Sequence, residues 1–468
     1  MTQYVENYKY YSVYRILVGT LKGIVNGKYH IDNNRLFVAF LIVYIALIAD
    51  ISIGNISDIV VDFSVSPGGI VMFVSIAVVF VLGQYFILKY IMNKKGTSST
   101  GTQRISYRAV QVVQYALAVI MIAITLQVVF ASSYYTMELM IAVLLSYGMA
   151  AILMGALSWR LFVWFKFSKS IATLFYALAA AMITINAIDS LIFFNVVLSE
   201  KSTIINSELE VIFQVGFEPG TFMSLVAMIQ TTSMVGYFVL TWAGTILLLI
   251  HHMKRVGKIK FWILVTLPLI YFMSYYINLY EVTNPDSPVT QALSSNFIIP
   301  ILLFTYSIAL CGILFGIAFY SIARSIKENK EIRIFMLITA YGFVLFFNAA
   351  DATVLQAGYP PFGLANVSFV GLSAFLIFVG LYSSAISVAK DVQLRSFIKK
   401  SVKDEAKFLA SIGTAQMQEE LEKRIMTITR DKSEEISQFD EISPSLSEDE
   451  MKRYLEEVIR EVESSRQR

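Results

Sequence analysis

The sequence predicts an all-α protein, a polytopic transmembrane helix bundle of about ten spans with a cytoplasmic helical tail. Three observations carry that prediction. Hydrophobic residues make up 56% of the 468 and charged residues only 15%, against roughly 25% charge in soluble domains. Ten apolar segments, at 36–54, 69–92, 109–131, 136–158, 171–198, 222–250, 261–280, 297–320, 334–355 and 364–389, each supply about the 20 residues a helix needs to cross a hydrocarbon core. The basic residues between them alternate in side: five Lys or Arg in 1–35, five in 89–108, three in 160–169, four in 254–260, four in 324–333 and fifteen from Lys390 onward, against Lys201 alone on the opposite side. The positive-inside rule then places both termini in the cytoplasm of a multi-pass cell-membrane protein. The opposite loops, with Asp58, Asp62, Glu200, Glu208, Glu210, Glu218, Glu281 and Asp286, form an acidic outer face.

The N-terminal arm, 1–35, holds Lys9, Arg15, Lys22, Lys28 and Arg35 and no small-residue cleavage site after a short apolar core, so the first span is expected to direct insertion itself. Within it Tyr4, Tyr8, Tyr11, Tyr14, Leu17 and Leu21 suit either an amphipathic helix at the inner headgroups or a packed arm. Asn55-Ile56-Ser57 is a glycosylation sequon close to the membrane. The longest outer loop, 199–221, carries Val211, Ile212 and Phe213 and can fold back over the mouth of the bundle. Pro268 and Pro300 are candidate kinks in spans seven and eight. The turn Gly358-Tyr359-Pro360-Pro361-Phe362-Gly363 is either a tight connector or the floor of an outer pocket.

A parallel repeat emerges on comparing the spans. Ile152-Leu153-Met154-Gly155 returns as Ile313-Leu314-Phe315-Gly316, Asn186-Ala187-Ile188-Asp189 as Asn348-Ala349-Ala350-Asp351, and Ser233-Met234-Val235-Gly236 resembles Ser368-Phe369-Val370-Gly371. The membrane domain, 36–389, then divides into a half-unit at 36–92, a first repeat at 109–250 and a second at 261–389, unless the likeness is chance among helices of small alphabet. Gly312 and Gly316, with counterparts Ala151 and Gly155, are small-xxx-small pairs suited to helix packing.

Charged side chains inside hydrocarbon are costly and concentrate at functional sites. Asp50, Asp189 and Asp351 are the candidates, all in the outer halves of their spans, and Asn186 and Asn348 lie one turn before two of them. Converging, these groups are candidates to hold a cation or a proton; apart, each serves headgroup contact or packing. Cys311 is the only cysteine, and His251 and His252 sit at an interface beside Lys254 and Arg255, so no metal or cofactor is expected. No activated nucleophile, nucleotide-binding loop or nucleic-acid patch stands out.

The tail divides into a juxtamembrane amphipathic helix at 390–432, a serine-rich linker at 433–447 containing Pro444, and a C-terminal amphipathic helix at 448–468 opened by the capping box Ser447/Glu450. Leu394, Ile398, Val402, Leu409, Leu421 and Ile425 recur at helical spacing and form an apolar stripe for a partner. Gly413 is the first possible interruption of that helix.

The Asn-Ala-x-Asp tetrad in span nine, the Tyr359-Pro360-Pro361-Phe362-Gly363 turn, and the tail words Leu394-Arg395 and Ser411-Ile412-Gly413-Thr414-Ala415-Gln416-Met417 resemble a family of uncharacterised archaeal multi-pass membrane proteins. The resemblance covers about the last quarter of the chain and implies an archaeal source without an activity. More loosely, a bundle feeding a cytoplasmic helix is similar to the membrane input modules of sensor kinases, here without the kinase. The expected function is a non-enzymatic membrane sensor or scaffold, bound to the lipid bilayer and acting on a cytoplasmic protein partner or on itself through the tail. The alternative is an ion- or proton-coupled transporter using the intramembrane aspartates.

Overall fold

A computed structural model of the chain describes residues 33–57, 66–93, 101–199, 202–206, 221–250, 253, 257–263, 265–268, 298–326, 329–350, 358–390 and 404–439. In chain order the elements are α1 (Asn33–Ser57), α2 (Pro67–Asn93), α3 (Gly101–Ala131), β1 (Ser133–Tyr135), α4 (Thr136–Ser168), α5 (Ile171–Ser199), β2 (Ile204–Asn206), α6 (Phe222–Leu249), α7 (Ile298–Ser325), α8 (Lys330–Ala349), α9 (Leu364–Lys390) and α10 (Asp404–Phe439). Among the described residues seven helices are long and apolar enough to cross a membrane: α2, the 105–131 part of α3, α4, α5, α6, α8 and α9. Shorter apolar stretches, Phe37–Ile53 in α1 and Cys311–Arg324 in α7, accompany them. Much of the predicted seventh span, 261–280, and the N-terminal arm to residue 32 lie outside the described residues. Side chains turned away from the bundle are themselves apolar, among them Phe37, Ile45, Val119, Phe130, Ile152 and Met228, which fits contact with hydrocarbon rather than water.

Short connections set α4 beside α5 and α7 beside α8, and α5 also packs on α6 and α8 on α9 across longer ones. The helix that organises the rest is α9. It touches α1, α2, α3, α4, α8 and α10, and every residue from Leu364 to Ile386 is buried. Small residues make this enclosure possible, because they let backbones close to contact distance. Gly380 lies directly on Thr339 and Phe335 of α8, and a Cβ at Gly371 would stand 2.9 Å from the Ser146 carbonyl of α4. Gly312 and Gly316 of α7 stand in the same relation to Val344 and Ala340 of α8, whereas Gly155 of α4 has only ordinary contact with Thr184 of α5. Ala151 is buried. Aromatic rings fill the remaining faces of α9: Phe80 of α2 on Phe369 at 5.2 Å, Tyr107 of α3 on Phe375 at 5.3 Å, and Trp164 of α4 stacked on Tyr382.

At the acidic end the connection after α3 is a strand. β1 pairs antiparallel with β2, with Ser133 opposite Asn206 and Tyr135 opposite Ile204, so the start of the long 199–221 loop does turn back onto the bundle; Val211, Ile212 and Phe213 lie outside the described residues. Three-residue strands give no periodic signal that a sequence reading could detect. The 358–363 turn is buried beneath this region. Tyr134 Oη donates to the Gly358 carbonyl and Tyr359 Oη to the Val128 carbonyl, and Gly363 has a φ of +90°, which a side chain would resist.

Several features differ from the sequence expectation. α4 continues ten residues beyond 158, to Ser168, and ends on a left-handed Lys169 whose N–H reaches the Phe165 carbonyl. α10 runs unbroken through Gly413 and through 433–439, so the first seven residues of the linker expected at 433–447 are helical, and 440–447 lie outside the described residues. Gly413 breaks nothing because it is a packing position, seated on Val388 of α9. Pro300 falls in the first turn of α7, where proline is tolerated, and needs no kink there.

Enclosure of α9 makes its glycines intolerant of volume. Gly380→Ala is expected to lower the melting temperature of the detergent-solubilised protein, by the ~1–3 kcal/mol typical of overpacking. Gly148→Ala, where no neighbouring atom lies within 4 Å of the added carbon, is expected to be neutral or mildly stabilising. Equal melting temperatures for the two variants would contradict the packing described.

Candidate functional site

Three polar constellations stand out among the described residues of the apolar interior. The first begins with α1, whose buried positions Phe40, Val43, Leu47 and Asp50 recur every three or four residues, so helical periodicity turns Asp50 into the bundle with the apolar seam. Its carboxylate is 1% exposed. Oδ1 accepts from the Gly363 N–H at 2.9 Å, and Oδ2 accepts from the Asn366 N–H at 3.2 Å and from Asn366 Nδ2 at 2.8 Å. Asn366 Nδ2 also donates to the Leu47 carbonyl. Those amides are the open first turn of α9, which has no intrahelical acceptors. Asp50 is therefore a helix cap supplied by another helix, with its negative charge at the positive end of the α9 dipole. Both its oxygens are occupied, which removes it from a pool of ligand-ready carboxylates.

The second constellation lies on α5. Asn186 Nδ2 donates to the Gln230 carbonyl at 3.2 Å and to Ser233 Oγ at 3.1 Å on α6, so this amide clasps two helices. Asp189, 5% exposed, has an Oδ2 with no hydrogen-bond partner among the described residues, and the neighbouring Ser190 Oγ has none either. The matching tetrad on α8 behaves differently: Asn348 is buried with its Nδ2 unpartnered among the described residues, while Asp351 lies outside them. The expected meeting of Asp189 with Asp351 thus falls outside the described residues. Toward the other end, Met154, Tyr176, Ile183, Thr241, Phe343 and Ile377 line an apolar void of about 10 Å³, room for about one water molecule.

The third constellation, at the basic end, was not anticipated from the sequence. α10 docks there through Phe408, Leu409, Ile412 and Ala415, all buried, with Phe408 against Tyr176 and Phe319. Polar contacts then fix its register. Trp164 Nε1 donates to Gln416 Oε1 at 2.9 Å, and Arg160 Nη1 donates to Glu419 Oε1 at 2.7 Å, a carboxylate that Lys423 also contacts. The Arg160 guanidinium sits 5.5 Å from the Tyr382 ring centre of α9, so α4, α9 and α10 meet in one knot. Beyond Glu419 the stripe leaves the bundle: Leu421, Ile425 and Ile428 are 49%, 39% and 57% exposed. Leu394, Ile398 and Val402 lie outside the described residues.

Asn366, Arg160, Trp164, Gln416 and Glu419 are the residues that sequence reasoning missed. Helical spacing does put Gln416 and Glu419 on the face that continues Leu409 and Ile412, yet nothing local names their partners on α4. No family model matches this chain, and neither a curated protein nor a solved structure does.

The two buried aspartates are expected to respond differently to loss of charge. Asp50→Asn weakens charge-assisted bonds to the α9 amides and is expected to cost about 1.5–3 kcal/mol, read as a lower melting temperature in detergent. Asp189→Asn removes no hydrogen bond described here and is expected to leave stability within about 0.5 kcal/mol. The reverse order would overturn the assignment of Asp50 as the cap.

Proposed function

We propose that this chain is a non-enzymatic integral membrane sensor or scaffold that conveys the state of its membrane bundle to a cytoplasmic partner through α10. The observation that carries the reading is the placement of α10. Its first half is locked to α9 and α4 by Val388, Gln416 and Glu419, while its next turns present Leu421, Ile425 and Ile428 outward. A shift of α9 against α4 would move that apolar stripe as a rigid extension. α9 in turn is held at its far end by Asp50, so a ligand or lipid change at the acidic end has a direct mechanical route to the basic end.

The reading includes ten spans with both termini in the cytoplasm, supported by the one-sided Lys and Arg distribution. It also includes the parallel repeat of 109–250 and 261–389, supported by the shared packing of α4 on α5 and of α7 on α8. The tail partner is a protein with an apolar groove or a second copy of the chain.

A second reading, an ion- or proton-coupled transporter, draws on Asp189, whose Oδ2 is buried in a membrane helix without a partner among the described residues. Such a carboxylate is chemically suited to carry a proton or meet a cation.

Two experiments separate these. Leu421→Glu with Ile425→Glu alters only the exposed stripe, so membrane levels are expected to stay unchanged while the phenotype of gene deletion appears. Full complementation by that variant would sink the sensor reading. For the transporter, proteoliposomes are expected to show pH-gradient-dependent flux that Asp189→Asn and Asp351→Asn abolish; gradient-independent flux would reject it.

A further inference from the structure

Register around α9 brings a set of unsatisfied polar side chains to one depth. α3 runs antiparallel to α9, with Tyr359 near Val128 at one end and Tyr107 on Phe375 at the other. The buried face of α3 is Tyr107, Val110, Gln114, Leu117, Met121, Ile124 and Val128, a strict heptad seam in which Gln114 is the only polar member. One heptad from Tyr107 is Gln114, and one heptad from Phe375, in the opposite direction, is Ser368. Antiparallel helices in contact at one pair bring the pair one heptad along to face each other. Gln114 is fully buried, and its Oε1 and Nε2 both lack a hydrogen-bond partner among the described residues, as does Ser368 Oγ.

The same construction applies to α2, which runs parallel to α9, with Phe73 on Phe362 and Phe80 on Phe369. One turn further, Gln84 comes level with Ser373; it is 2% exposed and its Oε1 is unpartnered among the described residues. On α8, contacts of Gly380 with Thr339 and of Gly342 with Ile377 set an antiparallel register that carries Asn348 level with Gly371. Its Nδ2 is unpartnered, and so is Oδ1 of Asn366, the residue that Asp50 holds by the amide nitrogen. Gln84, Gln114, Asn348, Asn366 and Ser368 thus ring α9 between 366 and 373, about 10 Å of helix axis at 1.5 Å per residue.

Donors and acceptors are both present in this ring, they come from α2, α3, α8 and α9, and no protein atom described satisfies them. Inside a membrane bundle an open polar atom is expensive, and buried amides and hydroxyls left open at one depth are commonly satisfied by ordered solvent. We infer that this ring is a built hydration site, where a short row of ordered water molecules bridges Gln114, Ser368 and their neighbours along α9, below the Asp50 cap. The chemistry suits a neutral molecule that both donates and accepts, because the open atoms of the ring itself belong to amides and a hydroxyl. The site exists whether the chain senses or transports.

Gln114→Leu, which keeps the side-chain volume, separates a bridged amide from an orphan. Bridged, Gln114 is expected to make the variant melt several degrees lower in detergent, and adding Ser368→Ala is expected to lower it little further, since both act through the same solvent. A variant that melts higher than the parent, as replacement of an unpaired buried amide by an apolar group would give, overturns the inference. A second measurement needs no variant. X-ray radiolysis oxidises side chains beside bound water, so Phe80 and Phe369 are expected to be modified several-fold faster in the unaltered protein than the equally buried Phe315 and Phe319. Equal rates for the four would overturn the site as well.

Discussion

A helix enclosed on every side by other helices can reach neither lipid nor water, and α9 imposes that constraint on the whole molecule. Its first-turn amides need acceptors, and α1 supplies them through Asp50. Its backbone has to be approached closely, so glycines stand at the contacts with α4 and α8. Its last turns need cover where the bundle ends, and α10 supplies it with Gly413 against Val388. In hydrocarbon there is no hydrophobic gain from bringing one apolar helix onto another, so fit and internal hydrogen bonding must hold the assembly together.

Much of the outer framework was legible in the sequence, because hydropathy is a property of individual segments. The lengths of α2, α5, α6 and α9 follow from their apolar runs, and the outward apolar side chains follow from the same composition. Centrality was not legible. α9 is no more apolar than α2, and burial on all sides leaves no periodicity to distinguish it from a lipid-facing span. Asp50 was visible as an intramembrane charge, but its partner Asn366 lies 316 residues away, and only the fold brings them together. The tail showed its amphipathic stripe while concealing that the stripe serves two surfaces, with Leu409 and Ile412 inside and Leu421 and Ile425 outside. Gly413 misled for a physical reason: glycine at a close helix crossing and glycine at a helix end look alike in one dimension.

The two Asn-Ala-x-Asp tetrads show how similar words acquire different uses. Asn186 spends its amide on α6, where Ser233 and the Gln230 carbonyl lie within reach. Asn348 faces a neighbourhood shaped by α9 and keeps its Nδ2 open among the described residues. If the units descend from a common ancestor, divergence followed from position in the bundle, since only the second unit contributes the enclosed helix. The polar knot of Arg160, Tyr382 and Glu419 adds a further asymmetry, because it ties α10 to α4 and α9 through three different side-chain chemistries.

The enclosure of α9 also bears on how the chain is made. Ribosomes deliver α1, α2, α3, α4 and α8 before α9, yet these are the helices that surround it. The glycine and aromatic contacts that this wall makes with α9 therefore stay unfilled until translation has passed Lys390 and α9 can join them. α10 emerges afterwards and closes the site from the basic end. The axis of this molecule is made after the helices that wall it, so truncated products that stop short of α9 present an unfilled groove to lipids and to the quality-control machinery that surveys them.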